Sequence, residues 1–202
     1  DNNNVADEFF GFESRMMVPT SLGPHPRFEN RVIEETDEHR IIQDGDGVKK
    51  IVYTDGKDTI PRYLEFPIKD RESWEAFKER LRIDDPVRYR DDWDEIVQQT
   101  KDAEVPVQIH GGSLFGRLRN YAGFEGIAVM CYDDPELLEE MIEHLCQMAL
   151  AVLEPALEAG CEVDCGSFWE DMNFKQGCII SPEMFHQWLT PRYTRITDLM
   201  YE

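Results

Sequence analysis

Two adjacent carboxylates, Glu170 and Asp171, follow a run with the pattern of a buried β-strand, residues 162–169. In parallel α/β folds, catalytic and binding groups lie where strands end and loops begin. An acidic pair in such a place can orient a ligand, or hold a proton on the member whose pKa the other raises. We therefore predict that both residues are catalytic and that Trp169, which ends the run, contacts substrate. The alternative is that the two carboxylates only cap the loop backbone.

A second strand-like run, residues 105–110, ends in His110 and leads into Gly111 and Gly112. Because glycine has no side chain, a ligand can approach the backbone closely at this point. Histidine is the common proton donor and acceptor near neutral pH, so His110 is a candidate catalytic residue. The alternative is a histidine that only makes local hydrogen bonds.

Two arginines, Arg117 and Arg119, follow His110 in a predicted short helix, residues 113–123. Arginines placed after a strand end can bind an anionic group through paired hydrogen bonds, and both are candidate substrate-binding residues. In a chain this acidic they can equally well pair with surface carboxylates. Both interpretations are open at this point.

The elements that must position these residues alternate between strands and helices. Helices of ten or more residues between apolar strands predict parallel βα units, whose right-handed connections bring the carboxyl ends of the strands to one edge. His110, Glu170 and Asp171 are therefore expected to share that edge. Apolar periodicity predicts helices at residues 71–82, 91–103, 113–123, 124–132 and 134–159.

Polar residues mark where several of these helices begin and end. Asp70 is the predicted cap of the first helix, and the acidic stretch 133–136, with its proline, is a strong start for the longest one. Gly160 fits the position just past the end of that helix. After a loop at residues 173–178, Ser181 and Pro182 predict the start of a last helix.

A β-meander is predicted at residues 39–66. Two Asp-Gly turns, one at residues 44–47 and one at residues 55–56, separate three short β-type runs. Pro61 is expected at a sheet edge because it has no amide proton for a strand ladder. We interpret this meander as an excursion from the main fold.

These elements predict one α/β domain over residues 1–202. A (β/α)₈ barrel needs about 250 residues, and only two βα units are clear, so we expect a partial barrel. Residues 1–30 are interpreted as the tail of a strand-loop segment. The chain begins with Asp and its last residues, 197–202, have no helix stop signal. We therefore expect a fragment of a longer protein.

Composition excludes several classes of function. The formal net charge of −21 argues against binding nucleic acid through phosphate neutralisation. The sequence contains no apolar run long enough to span a membrane and no signal peptide, and its thiols are expected to be reduced in a cytoplasmic protein. Two of the five cysteines, Cys161 and Cys165, are not predicted to share a metal ion, because four strand residues span about 13 Å. No metal site is predicted.

Residues 168–199, FWEDMNFKQGCIISPEMFHQWLTPRYTRITDL, carry a more specific signal through ISPEMF and the downstream PRYTRITDL. Together they resemble the uroporphyrinogen decarboxylase superfamily. Residues 105–142 are also similar to that family, as are residues 11–35 and 65–81. The resemblance covers nearly the whole chain and implies a (β/α)₈ barrel of which about the first half is present.

The resemblance implies one of two activities. The first is decarboxylation of the acetate side chains of uroporphyrinogen without a cofactor, and Tyr121 lies roughly where those enzymes use a catalytic tyrosine. Their catalytic aspartate and arginines would fall at or before Asp1. The second is methyl transfer with a corrinoid protein as partner and a zinc-bound thiol acceptor. The His-x-Cys element of those enzymes is absent here and would lie beyond Glu202.

Charge bears on this choice. Uroporphyrinogen carries eight carboxylates, so its pocket should be cationic, whereas this chain has 42 acidic and 21 basic residues. Glu170 and Asp171 would repel such a substrate and would suit a less anionic ligand. Three hypotheses stay open: a tetrapyrrole decarboxylase, a methyltransferase with zinc and a corrinoid partner, and a fragment without activity. The expected partner is a small molecule, and a homodimer is one possible assembly.

Overall fold

The computed structural model describes residues 9–12, 14–54 and 61–201. The strands are β1 (Met16–Val18), β2 (Arg31–Glu35), β3 (His39–Gln43), β4 (Lys49–Tyr53), β5 (Arg62–Glu65), β6 (Val107–His110), β7 (Cys165–Ser167), β8 (Asn173–Phe174) and β9 (Gly177–Cys178). The helices are α1 (Arg71–Lys78), α2 (Trp93–Lys101), α3 (Phe115–Ala122), α4 (Phe124–Asp133), α5 (Pro135–Glu158), α6 (Pro182–Met184) and α7 (Thr190–Tyr201). Among these described residues, no helix is long and apolar enough to cross a membrane.

A parallel sheet of order β1-β6-β7 lies at the centre of the fold. Val18 is in register with Ile109, which is in register with Gly166. The fold is therefore α/β with a parallel sheet, as predicted. The sequence analysis recognised two of these strands and missed β1, because its three residues, MMV, are too few to show a period.

Helices pack against one face of this sheet. Val18, Val107 and Ile109 point to that side and belong to the same buried cluster as the helical residues. Gln108 and His110 alternate with them and are only partly buried. Because side chains alternate across a strand, the second face of β6 is the more open one, and it carries the polar groups.

The predicted strand at residues 162–169 was wrong in its length and in its burial. The observed strand β7 has three residues, of which Cys165 and Gly166 are exposed. Asp164 precedes β7 and accepts a hydrogen bond from the amide of Val107 at 2.7 Å, which anchors the chain just before the strand begins. Within the described residues β7 pairs with β6 alone, and for that reason it remains open to solvent.

The β-meander is confirmed, with one strand more than predicted. Its order is β2-β3-β4-β5 and its strands are antiparallel. The extra strand, β2, is exposed along its whole length and has no apolar alternation. Asp44 stabilises the first turn by accepting from the amides of Asp46 and Val48 at 3.0 and 3.1 Å. The second predicted turn, at residues 55–56, lies outside the described residues.

Caps set the helix boundaries as the sequence predicted. Asp70 accepts from the amide of Ser73 at 2.9 Å, which forms a reciprocal capping box with the Ser73 hydroxyl. Asp134 accepts from Leu137 at 3.0 Å at the start of α5. Gly160 follows that helix with φ of 92°, a conformation that favours glycine. Ser181 caps α6, as predicted, by accepting from Met184 at 3.2 Å.

The last helical segment is less regular than predicted. A five-residue π-helical turn, Phe185–Leu189, separates α6 from α7. Arg192 of α7 donates to Glu139 and Glu143 of α5, each at 2.9 Å, so these ion pairs join the two helices. The loop predicted at residues 173–178 contains the short hairpin formed by β8 and β9.

Candidate active site

His110 and Ser167 lie side by side at the carboxyl edge of the parallel sheet. They are in register, and His110 Nδ1 lies 3.3 Å from Ser167 Oγ. The segments that follow β6 and β7 stay paired beyond the strands. The amide of Gly111 donates to the carbonyl of Ser167 at 2.8 Å, and the amide of Trp169 donates to the carbonyl of Gly112 at 3.1 Å. This pairing brings the predicted residue His110 to the loop that carries Glu170 and Asp171.

The imidazole of His110 is held in its neutral form. Burial lowers its pKa below the ordinary value of 6.5, and the positive charge of Arg117 lowers it further. A neutral imidazole has one nitrogen that donates a hydrogen bond and one that accepts. At neutral pH, His110 can therefore accept a proton or bind an electrophile at this edge.

Glu170 caps helix α3. Its carboxylate accepts from the amides of Leu114 at 2.7 Å, Phe115 at 3.1 Å and Gly116 at 2.6 Å. These are amides at the start of the helix that have no partner within the helix, and a negative charge there is favoured by the helix dipole. Glu170 therefore fixes the α3 segment against the loop after β7. This role is close to the alternative given above, in which the carboxylates only cap the loop backbone.

Tyr193 is a residue that the sequence analysis missed. Its hydroxyl donates to the carboxylate of Glu170 and accepts from the amide of Leu114 at 3.2 Å. Burial, together with the charge of Glu170, raises the pKa of Tyr193 well above its ordinary value. Its spacing from Leu189 and Ile196, both buried, indicates a core-facing position. The sequence contains no signal for its polar partner.

Asp171 forms an ion pair with Arg119, from α3. The same guanidinium lies 3.4 Å from the side-chain oxygen of Asn120, and its Nε is buried without a hydrogen-bond partner among the described residues. The two predicted site residues thus meet, and each neutralises the other. The surface-pairing alternative describes Arg119 in this structure.

Arg117 and Trp169 differ in how far solvent reaches them. Arg117 borders a space of about 10 Å³ beside Leu22 and Gly112, so this part of the edge is closely packed. Trp169 is 42% exposed, and its ring lies over Gly116, where an added Cβ would come within 2.9 Å of the indole. Of these two, Trp169 is the one that solvent reaches readily.

Tyr121 lies in the core, with no exposed surface. Its ring packs on that of Phe77 with centroids 4.6 Å apart. Burial raises its pKa to about 12, although the charge of Arg117 and the nearness of that guanidinium to the hydroxyl oppose the rise. The contact with Arg117 does not meet hydrogen-bonding geometry, so the hydroxyl is unpaired among the described residues. In this arrangement Tyr121 does not reach the open edge. A catalytic role for Tyr121 stays a prediction.

A larger cavity, of about 270 Å³, lies between the meander and the α3–α4 junction. Arg119 and Asn120 form one wall, and Tyr63 and Phe124 contribute aromatic surface. The ion pair of Asp171 and Arg119 therefore stands between this cavity and the strand ends.

The cysteines are free thiols: Cys131, Cys146 and Cys161 are buried, whereas Cys165 and Cys178 are exposed. Burial raises the pKa of the buried thiols, which keeps them protonated. Residues 9–12, 14–54 and 61–201 contain no group of three or more His, Cys, Asp or Glu side chains that could hold a metal ion.

A comparison with protein families identifies the family of the chain. The family model for uroporphyrinogen decarboxylase (URO-D) matches residues 50–202. The chain therefore belongs to the uroporphyrinogen decarboxylase family. The matched region contains β6, β7 and every predicted site residue. A comparison with curated proteins finds no match.

Proposed function

We propose that the protein is a uroporphyrinogen decarboxylase-like enzyme that removes CO₂ from the acetate side chains of a tetrapyrrole. The observation that carries this proposal is the family match over residues 50–202, which includes both strand ends. The three parallel strands, covered by helices on one face, are consistent with part of a (β/α)₈ barrel. In barrels of that type, substrates bind at the carboxyl ends of the strands.

The contacts around the edge remove one objection to a carboxylate substrate. The sequence alone suggested that Glu170 and Asp171 would repel it. In the structure, amides and the Tyr193 hydroxyl bind the first carboxylate, and Arg119 neutralises the second. Arg117, whose charge acts on His110, is then the candidate cation for a substrate carboxylate.

Decarboxylation breaks the bond to the carboxyl carbon, releases CO₂ and places a proton on the remaining carbon. His110 is the titratable group at the strand end that is suited to exchange this proton. Its depressed pKa keeps it neutral at pH 7, and its imidazolium form is then a stronger acid than an ordinary one. Trp169 remains a predicted substrate contact in this scheme, whereas Tyr121, which does not reach the open edge, remains only a predicted catalytic residue.

An anaerobic assay with uroporphyrinogen tests the proposal. The expected products are CO₂ and porphyrinogens with fewer carboxylates, separated by chromatography after oxidation. His110→Asn should lower turnover, whereas Arg82→Ala, which changes an exposed arginine paired with Asp84, serves as the matched control. If the folded wild-type protein releases no CO₂, the proposal is rejected.

A corrinoid-linked methyltransferase is the second candidate. Two observations favour it. The neutral His110 shares the open sheet face with Gln108 and Cys165, and Arg119 is already engaged by Asp171. This face suits a weakly charged ligand better than a polycarboxylate. The described residues offer no triad of zinc ligands, so we derive no metal step. Stoichiometric zinc together with methyl transfer from methylcobalamin to a thiol would favour this candidate over the decarboxylase.

A further inference from the structure

Arg88 is buried deep in the fold, although arginine is rarely buried without a charged partner. Its exposed fraction is 2%, and no carboxylate of the described residues lies within ion-pair distance of it. Burial lowers the pKa of its guanidinium. A buried cation costs free energy unless every donor finds an acceptor, so the contacts of Arg88 require an explanation.

Four backbone carbonyl groups provide those contacts. Arg88 donates from Nε to Arg82 at 2.6 Å, from Nη2 to Arg80 at 3.0 Å, and from Nη1 to both Ser21 and Gly23 at 2.9 Å. The first two acceptors follow helix α1, and the other two belong to the segment after β1. One side chain therefore ties together two segments that are about 60 residues apart in sequence.

The tied segment reaches the candidate site through Leu22. A Cβ added to Gly112 would lie 3.3 Å from Leu22 Cδ1, so the side chain of Leu22 lies directly against that glycine. The remaining space between them and Arg117 is only about 10 Å³. Gly112 in turn accepts a hydrogen bond from the amide of Trp169, which holds the loop after β6 against the loop after β7.

We propose that Arg88 is a positioning residue: its guanidinium fixes residues 21–23 so that Leu22 holds the loop at residues 111–113, and with it the strand end that carries His110. The inference deepens the proposed function, because it names a residue outside the strand ends that sets their geometry. Arg88 does not contact the edge itself and acts only through Leu22.

Two variants test the series of contacts that runs from Arg88 through Leu22 to Gly112. Arg88→Lys keeps the charge but cannot reach four carbonyl groups from one nitrogen. Leu22→Ala removes the contact with Gly112 and leaves Arg88 in place, and it decides the question if the first variant does not fold. The control is Arg82→Lys, since Arg82 is an exposed arginine of the same region.

The measurements are amide exchange at residues 111–113 and at Trp169, whose amide donates to Gly112, and the NMR titration of His110. Both test variants should speed exchange at Trp169 by about tenfold or more, because Arg88→Lys breaks charged hydrogen bonds and Leu22→Ala removes the apolar contact that holds Gly112. The pKa of His110 should rise toward its ordinary value as the loop opens and water enters. Amides in the middle of α5 should not change, nor should any of these quantities in the control.

A purely structural role for Arg88 would give a different result. In that case Arg88→Lys would speed exchange only at residues 21–23, Leu22→Ala would leave exchange at Trp169 unchanged, and His110 would titrate as in the wild type; this result overturns the inference. These measurements need no turnover. A failed porphyrinogen assay would therefore reject the proposed function without deciding whether Arg88 positions the loop.

Discussion

Glu170 gives the sharpest prediction about the site, because the structure assigns it a helix cap. Its carboxylate accepts from three amides and from the hydroxyl of Tyr193. Hydrogen bonds to a charged group contribute about 1.5–3 kcal/mol each, but bonds that share one carboxylate are not additive. Glu170 is partly buried and its partners are neutral, so its removal leaves unpaired amides but no unpaired charge. We expect Glu170→Ala to lower the free energy of unfolding by about 3–4 kcal/mol, roughly the contribution of two such hydrogen bonds.

Glu170→Gln should cost less, about 2–3 kcal/mol, because its amide oxygen still accepts from the helix amides while the charge is lost. Asp171→Asn is the matched control. Its ion pair with Arg119 is partly exposed, and such pairs contribute about 1 kcal/mol or less. Urea denaturation followed by far-UV circular dichroism measures all three values. The cap assignment is refuted if Glu170→Gln unfolds at the same urea concentration as the wild type while its turnover is lost.

Three further predictions concern a buried hydroxyl and side chains whose pKa values are shifted. Tyr121→Phe should leave the free energy of unfolding unchanged or raise it by about 1 kcal/mol, because it removes a buried hydroxyl without a partner; a clear loss in urea denaturation would reveal an unrecognised partner. Burial lowers the pKa of His110 and His144, so the unfolded chain binds their protons more tightly, and stability should fall as the pH drops below about 6.5. His144→Gln should flatten this dependence, and an unchanged slope for both His144→Gln and His110→Asn would contradict the assignment. Although burial opposes the shift, hydrogen bonds from three neighbouring donors lower the pKa of Glu140 from 4.5 to about 2, so its contribution should be lost between those pH values. An acid titration of Glu140→Gln in which the stability difference from wild type stays constant would refute this.

Local chemistry made the helices predictable. Asp70, Asp134 and Ser181 are short polar residues placed before apolar periodicity, and each forms the expected cap. The grouping of strand ends was predictable as well, since parallel βα units bring them to one edge. For that reason His110 and Glu170 were singled out from sequence and are connected through paired loops in the structure.

Features that depend on distant partners were not predictable. Strand β1 has three residues and owes its existence to pairing with β6. The strand before Glu170 is short and exposed, although its sequence suggests a buried one. Tyr193 and Glu170 are 23 residues apart, and no local pattern links them. The burial and contacts of Arg88 were not predictable either, because its acceptors are backbone carbonyl groups, which any residue could provide.

The central claim is that ligand binds at the carboxyl edge of β6 and β7. NMR titration of the labelled protein with uroporphyrinogen under anaerobic conditions tests it most directly. We predict shifts of the His110 ring and of the amides of Gly111, Gly112 and Ser167, and the amide shifts should weaken in His110→Asn. Shifts confined to the cavity wall around Asn120, or no shifts at saturating ligand, would contradict the claim.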